Sequence, residues 1–346
     1  MKSDWSVADA VVRWQREHGR SALPWQNTRD PYRVWLSEIM LQQTQVATVK
    51  GYYARFLERF PDVRALAAAS EDAVLALWSG LGYYSRARNL HKAAGVVVAQ
   101  HGGAFPRTAA ELAQLPGVGR STAGAIAAFC YGERVPILDA NVRRVLARFL
   151  AFENDLARAA NERALWERAS ELVPKSANDM PAYTQGLMDL GASLCTPRRP
   201  SCLVCPLEPA CAARSSGEVE RFPIRSRTVL RKQETWWLLV LRDGAGRTWL
   251  HRRPAPGIWA GLYCTPIFGD EAALVEHAAR LGACSLERLA PVRHALTHRE
   301  LVLCPVRILL PQSVHLSEAE GSWFQGDELP AIGLPAPLRS LFLSGV

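Results

Sequence analysis

The sequence predicts a mainly α N-terminal region followed by a smaller α+β domain. Three observations carry that prediction. Residues 5 to about 212 run as amphipathic segments broken by short Gly/Pro punctuation. Around Ser215–Lys232 the texture changes to Ser, Gly and Arg with little periodicity, as in a linker. Beyond it the pattern turns to strands. A chain of 346 residues suits two domains, and its 49% hydrophobic content allows a sizeable core.

Helices are expected within Arg33–Phe60, Glu71–Leu77, Arg86–Gln100, Ser121–Phe129 and Asn141–Leu150, where apolar residues recur at helical spacing. The linker, 215–232, includes Arg221, Arg225 and Arg227. Glu234–Leu241 is rich in Trp and Leu, Asp243–Gly246 is a Gly-containing turn, and Arg247–Arg252 resumes an extended pattern. The pair reads as a β-hairpin. Asp270–Leu281 reads as a helix and Leu301–Leu310 as a further strand. Internal repeats and low-complexity tracts are absent from the sequence.

No run approaches the roughly 18 apolar residues of a membrane helix. Met1–Arg20 mixes charges with Trp5 and Trp14 and lacks the apolar middle of a secretory signal, so a cytoplasmic location is expected. The net charge is +8, nearly all of it from arginine, with lysine only at 2, 50, 92, 175 and 232. A basic surface favours an anionic partner, and nucleic acid is the commonest.

Of eight cysteines, Cys130, Cys264, Cys284 and Cys304 stand alone among apolar neighbours. The other four follow the spacing Cys195-x6-Cys202-x2-Cys205-x5-Cys211. In a reducing compartment this cluster reads as a metal site rather than a disulfide framework. Cysteine-only ligation suits tetrahedral zinc or an iron–sulfur cluster, and the spacing leaves both open.

Leu115-Pro116-Gly117-Val118-Gly119 lies between two helical runs. Its glycines allow a tight turn and a close approach of backbone N–H groups to an anion. Arg120 and the helix N-terminus behind it add positive potential. Such a hairpin grips phosphate without reading bases.

Two carboxylates stand out. Glu38, Gln42 and Gln45, at i, i+4 and i+7, are expected to form one polar stripe of a helix opposite Trp35, Ile39 and Val46. An acid among apolar neighbours gains a raised pKa and can serve as a general acid. Asp139 precedes the helix Asn141–Leu150 and suits its N-cap, where helix N–H groups are expected to keep the carboxylate ionised.

The hairpin, Asp139 twenty residues beyond Gly119 and the four-cysteine loop occur in this order in the helix–hairpin–helix glycosylases of the endonuclease III superfamily, which residues 5–212 resemble. The resemblance implies a 4Fe–4S cluster on Cys195, Cys202, Cys205 and Cys211. It also implies a six-helix barrel at about 28–136 and an iron–sulfur subdomain from 1–27 and 137–214, together a catalytic domain of 1–214. Within the superfamily, the stretches Trp35–Val46 and Gly80–Leu90 resemble the MutY adenine DNA glycosylases.

That family's roles imply that Glu38 protonates adenine at N7 and then helps to activate water, while Asp139 stabilises the cationic sugar. They place Gln185 on the adenine edge, Gln42 and Tyr83 in the duplex near the mispair, and Gly117, Gly119 and Arg120 on the DNA backbone. Tyr84 is expected only to pack. Ser121 stands where bifunctional relatives carry a Schiff-base lysine, and a serine cannot form an imine. Removal of the base without amine-based strand cleavage is therefore expected.

Residues 233–346 resemble the family's Nudix-like 8-oxoguanine recognition domain through Pro256–Tyr263 and Arg293–His298. Leu296, Thr297 and His298 replace the family's frequent Phe-Ser-His, so the hydroxyl and imidazole stay while the stacking ring is lost. The helix Asp270–Leu281 carries only Glu271 and Glu276, too few for a Nudix Mg²⁺ site, which implies binding without hydrolysis. The expected partner is double-stranded DNA with adenine opposite 8-oxoguanine or guanine, and the expected state is a monomer in the bacterial cytoplasm. An endonuclease III-like or thymine-mismatch glycosylase, and a non-catalytic iron–sulfur DNA-binding protein, are the alternatives. Ser121 and the second domain weigh against the first and Gln185 against the second, while the retained Glu38 and Asp139 weigh against the third.

Overall fold

Polar caps set where six of the helices begin. The side chains of Ser6, Asp30, Ser70, Thr108, Asp139 and Asp270 each accept a first-turn N–H. The structure is a computed structural model that describes residues 5–226, 231–283, 285–311, 314, 316–317 and 320–343. Cys284 and Arg227 lie outside the described residues. The helices are α1 (Val7–His18), α2 (Pro31–Leu41), α3 (Val46–Arg59), α4 (Val63–Ala68), α5 (Glu71–Trp78), α6 (Ser85–His101), α7 (Ala109–Leu112), α8 (Arg120–Tyr131), α9 (Ala140–Phe149), α10 (Ala159–Glu171), α11 (Met180–Ser193) and α12 (Ala212–Ser215). Among the described residues no helix is long and apolar enough to cross a membrane.

By its contacts the chain divides into two units. One is Met1–Ala67 with Lys92–Thr228, and the other is Ala68–His91 with Val229–Val346. The first unit is helical, and α11 packs on α1, α8 and α9. Val11, Ala125, Val142, Leu146, Tyr183 and Leu187 belong to that core. A Cβ on Gly191 would lie 2.6 Å from Asn141 Cβ, so glycine is what allows α11 and α9 to approach this closely. The packing of α2 on α8 supplies the remaining wall of the site.

Three expectations change here. The run Arg33–Phe60 is two helices, because the polar stretch Gln42–Gln45 has no face to bury and Gln43 turns with φ 56°. The linker is tied down as far as residue 226. Phe222 O accepts from Arg148 Nε at 3.0 Å, Ile224 O accepts from Leu156 N at 3.0 Å, and Ser226 Oγ donates to Asp155. The segment Ala68–His91, read as part of a single domain spanning 1–214, groups with the C-terminal part. There the Ser79 and Tyr84 hydroxyls donate to Leu334 O at 2.8 and 2.9 Å, and Arg88 donates to Ala260 O at 2.6 Å.

The second unit is built on one mixed sheet. Strand β1 (Lys232–Arg242) pairs in parallel with a late strand, Arg299–Leu309, over its whole length. It pairs antiparallel with β2 (Thr248–Arg252), as the hairpin reading requires. Leu238–Leu241 of β1 are all buried, as suits a central strand covered on both faces. One cover is the helix α13 (Glu271–Arg280), whose Leu274 and Ala278 meet Leu239, Leu241, Val306 and Ile308.

Candidate active site

Helix α2 buries Val34, Trp35, Leu36, Ile39 and Met40, and it turns Glu38 to a cleft of about 1200 Å³ that Ser37 also lines. Gln42, Ser121, Asp139 and Gln185 line the same cleft. The Glu38 carboxyl is enclosed by protein, with its remaining exposure toward the cleft. Burial, and secondarily the charge of Asp139, push its pKa from 4.5 up to about 8. Asp139 caps α9 and accepts from Val142 N at 2.7 Å. The cap does not hold its pKa down as expected. Burial raises it, and this outweighs the N–H groups of Val142 and Asn141 and the charges of Arg144 and Arg143. The pair is therefore asymmetric: burial first, and the charge of Asp139 second, hold the proton on Glu38.

The Ser121 hydroxyl accepts from Leu138 N at 3.1 Å and so steadies the backbone just ahead of Asp139. Gln42 and Gln45 do not share a helical stripe with Glu38. Helix α2 ends at Leu41, Gln42 is its C-cap, and Gln45 is the N-cap of α3. Both still reach the cleft, and Gln42 Nε2 donates to Thr122 Oγ1 at 3.2 Å. Gln185 reaches it from α11. Sequence reasoning missed two residues of this wall, Arg20, which lines the cleft, and Asp189, buried beneath Gln185. The signal was a charged residue, Asp189, in the otherwise apolar run Gly186–Leu190.

Gly117 turns the hairpin with φ 76°, a conformation that favours glycine. Gly119 has an ordinary φ of −80°, yet a Cβ there would meet nothing within 4 Å. Its bare surface leaves the uncapped N-terminus of α8 open to an approaching group. Arg120 opens that helix, and its guanidinium lies 4.1 Å over the Trp166 ring.

Cys195, Cys202, Cys205 and Cys211 line one cavity with Arg148 and apolar residues such as Val145 and Leu194. Burial pushes the Cys205 thiol up to about 11 and raises Cys211, and the neighbouring thiols add to both. Among the described residues no three His, Cys, Asp or Glu side chains converge on a single ion. Arg148, 2% exposed, places Nη1 3.4 Å from Cys195 Sγ and donates to Thr196 O at 2.6 Å and Pro197 O at 3.0 Å. The donor set, the shared cavity and this buried cation fit an anionic thiolate-bound cluster.

In the second unit, Leu296-Thr297-His298 form the tip between strands Val292–Ala295 and Arg299–Leu309. Thr297 Oγ1 lies 3.5 Å from the Tyr83 hydroxyl. Tyr83 is 44% exposed on a backbone with φ 49°, while the adjacent Tyr84 is buried. Arg86 lies between the Tyr83 and Trp78 rings at 5.5 and 5.3 Å. On α13, Glu271 pairs with Arg288 and Glu276 with Arg280.

A family model described as HhH-GPD superfamily base excision DNA repair protein matches residues 36–171, and a NUDIX domain model matches residues 237–344. The adenine DNA glycosylase of Buchnera aphidicola subsp. Acyrthosiphon pisum (strain APS) is 34% identical over 337 residues, 96% of this chain and 95% of that protein. Among solved structures, a thermostable thymine-DNA glycosylase aligns with a TM-score of 0.54 at 29% identity, over 60% of this chain and 95% of that one. A non-covalent endonuclease III–DNA complex aligns with a TM-score of 0.50 at 21% identity, over 61% and 94%, and shares the fold.

Proposed function

The chain belongs to the adenine DNA glycosylase family, and from that premise we propose that it removes adenine set opposite 8-oxoguanine or guanine in duplex DNA, without cutting the strand itself. The observation that carries this reading is the asymmetric carboxyl pair in the cleft, with Glu38 protonated to about pH 8 beside the charge of Asp139.

A base in the stack must be flipped out to reach that cleft, and a mispaired base flips at lower cost. Glu38 gives its proton to N7 of the flipped adenine. The bond from C1′ to the base then breaks, and its electron pair leaves with the protonated base. An oxocarbenium-like sugar remains, and Asp139 stabilises it as a fixed anion. Water adds to C1′ and passes its proton to the Glu38 carboxylate, which restores the acid. Ser121 offers no amine to trap the sugar, which supports base removal alone.

The open N-terminus of α8 with Gly117 and Gly119 suits a phosphate. Arg120 supplies a cation at the same end of that helix. The exposed Tyr83 and the Leu296–His298 tip suit the mispair and the oxidised base. The arginine pairs of Glu271 and Glu276 favour a C-terminal domain that binds and does not hydrolyse. Cys195, Cys202, Cys205 and Cys211 would hold a 4Fe–4S cluster, which when bound stiffens the loop carrying Arg198 and Arg199.

The test is single-turnover excision on duplexes with adenine opposite 8-oxoguanine or guanine, read with and without hot alkali. Breaks that appear only after alkali are expected. Inactivity on both duplexes, with activity on a thymine–guanine mismatch or an oxidised pyrimidine, would overturn the assignment.

A further inference from the structure

Gln185 lines the cleft, and what sets its amide is a residue beneath it. Gln185 Nε2 donates to Asp189 Oδ1 at 2.9 Å, one helical turn along α11. The Asp189 side chain is 2% exposed, and Arg20 holds it three times. Arg20 N donates to Oδ2 at 2.9 Å, Nε donates to Oδ1 at 2.7 Å, and Nη2 lies 2.6 Å from Oδ1. A salt-bridged carboxylate only accepts hydrogen bonds, so it can face the nitrogen of the Gln185 amide and never its oxygen. One N–H is consumed by Asp189. With Nε2 held on Asp189, Oε1 and the second N–H are left to the cleft.

We infer that Asp189 is a specificity-determining positioning residue, which locks the Gln185 amide into an acceptor–donor pattern that matches the exocyclic amine and adjacent ring nitrogen of adenine. A purine with a carbonyl at that place, and a protonated ring nitrogen next to it, meets acceptor against acceptor and donor against donor. A site built around such a bonded pair rejects the mismatched analogue more strongly than an apolar pocket does. This inference rests on the adenine reading of the cleft.

The test compares single-turnover excision of adenine and of hypoxanthine, each opposite 8-oxoguanine, by the wild type and Asp189→Asn. Asparagine at 189 offers a donor as readily as an acceptor and frees the Gln185 amide to turn. The adenine rate should fall about tenfold while the hypoxanthine rate changes little, so the preference shrinks. An equal fall on both bases would overturn the inference. A wild type that leaves adenine in place would instead remove the reading beneath it.

A second measurement needs no change at 189. In nitrogen-15-labelled wild type, the Gln185 side-chain amide, assigned with Gln185→Met, should carry a proton that exchanges with water more slowly than those of exposed glutamine side chains. Exchange as fast as theirs would also overturn the inference.

Discussion

Replacing Glu38 with Gln keeps the shape of the side chain and removes its proton. Excision should fall by about 10²–10⁴, the usual contribution of a general acid. The same substitution should stabilise the fold. Unfolded, Glu38 gives up its proton near 4.5; folded, it keeps it to about 8. Between those values the folded chain holds a proton that the unfolded chain has released, so rising pH favours unfolding. Stability is complete below pH 4.5 and is lost progressively as pH climbs through 8.

At about 1.4 kcal/mol per pH unit, the full rise sets an upper limit near 5 kcal/mol. Water in the cleft screens part of it, and a gain of about 2 kcal/mol at pH 8 is the expectation. For a unit of roughly 200 residues that is about 4–8 °C in Tm. Calorimetry of Glu38→Gln and wild type at pH 4.5, 6 and 8 reads it directly, with a gap that opens as pH rises. A gap of constant size, or a variant less stable at pH 8, would refute the buried-acid reasoning. Wild-type excision should follow the same group and fall as the pH rises through its raised pKa.

Two further outcomes follow from other parts of the structure. Ser121→Lys places an amine in the cleft and removes the bond to Leu138 N, so borohydride should trap a protein–DNA crosslink above wild type while excision slows. No added crosslink would count against the Schiff-base argument. Arg148→Met leaves the buried carbonyls of Phe222, Thr196 and Pro197 without their donor, each at about 1–3 kcal/mol. If the four cysteines hold the proposed cluster, iron and acid-labile sulfide per chain should fall well below those of the wild type, and full retention of iron would show that Arg148 does not support the cysteine cavity.

Local chemistry was legible where it is local in cause. Asp139 and Asp270 announce the starts of α9 and α13, because a cap and the N–H it accepts lie three residues apart. The β1–β2 hairpin is legible for the same reason, through its short Gly-containing turn. The end of α2 at Leu41 was not, since Glu38, Gln42 and Gln45 fit helical spacing and only the turn at Gln43 separates them. Nor was the parallel pairing of β1 with Arg299–Leu309, whose partners lie more than sixty residues apart.

By itself the sequence determined the inventory of chemical groups: four cysteines in one loop, an acid among apolar neighbours, an acid at a helix start, a serine where an amine would cut, and a glycine hairpin. Those are properties of residue type and short spacing. Tertiary structure alone decided which groups share a charge environment. The rise of Glu38 to about 8 needs α2 packed on α8 beside the cap of α9, and the orientation of Gln185 needs Arg20 brought onto Asp189 from the far end of the chain's first unit. Desolvation and Coulomb coupling act through space and not along the backbone, so no motif can state them.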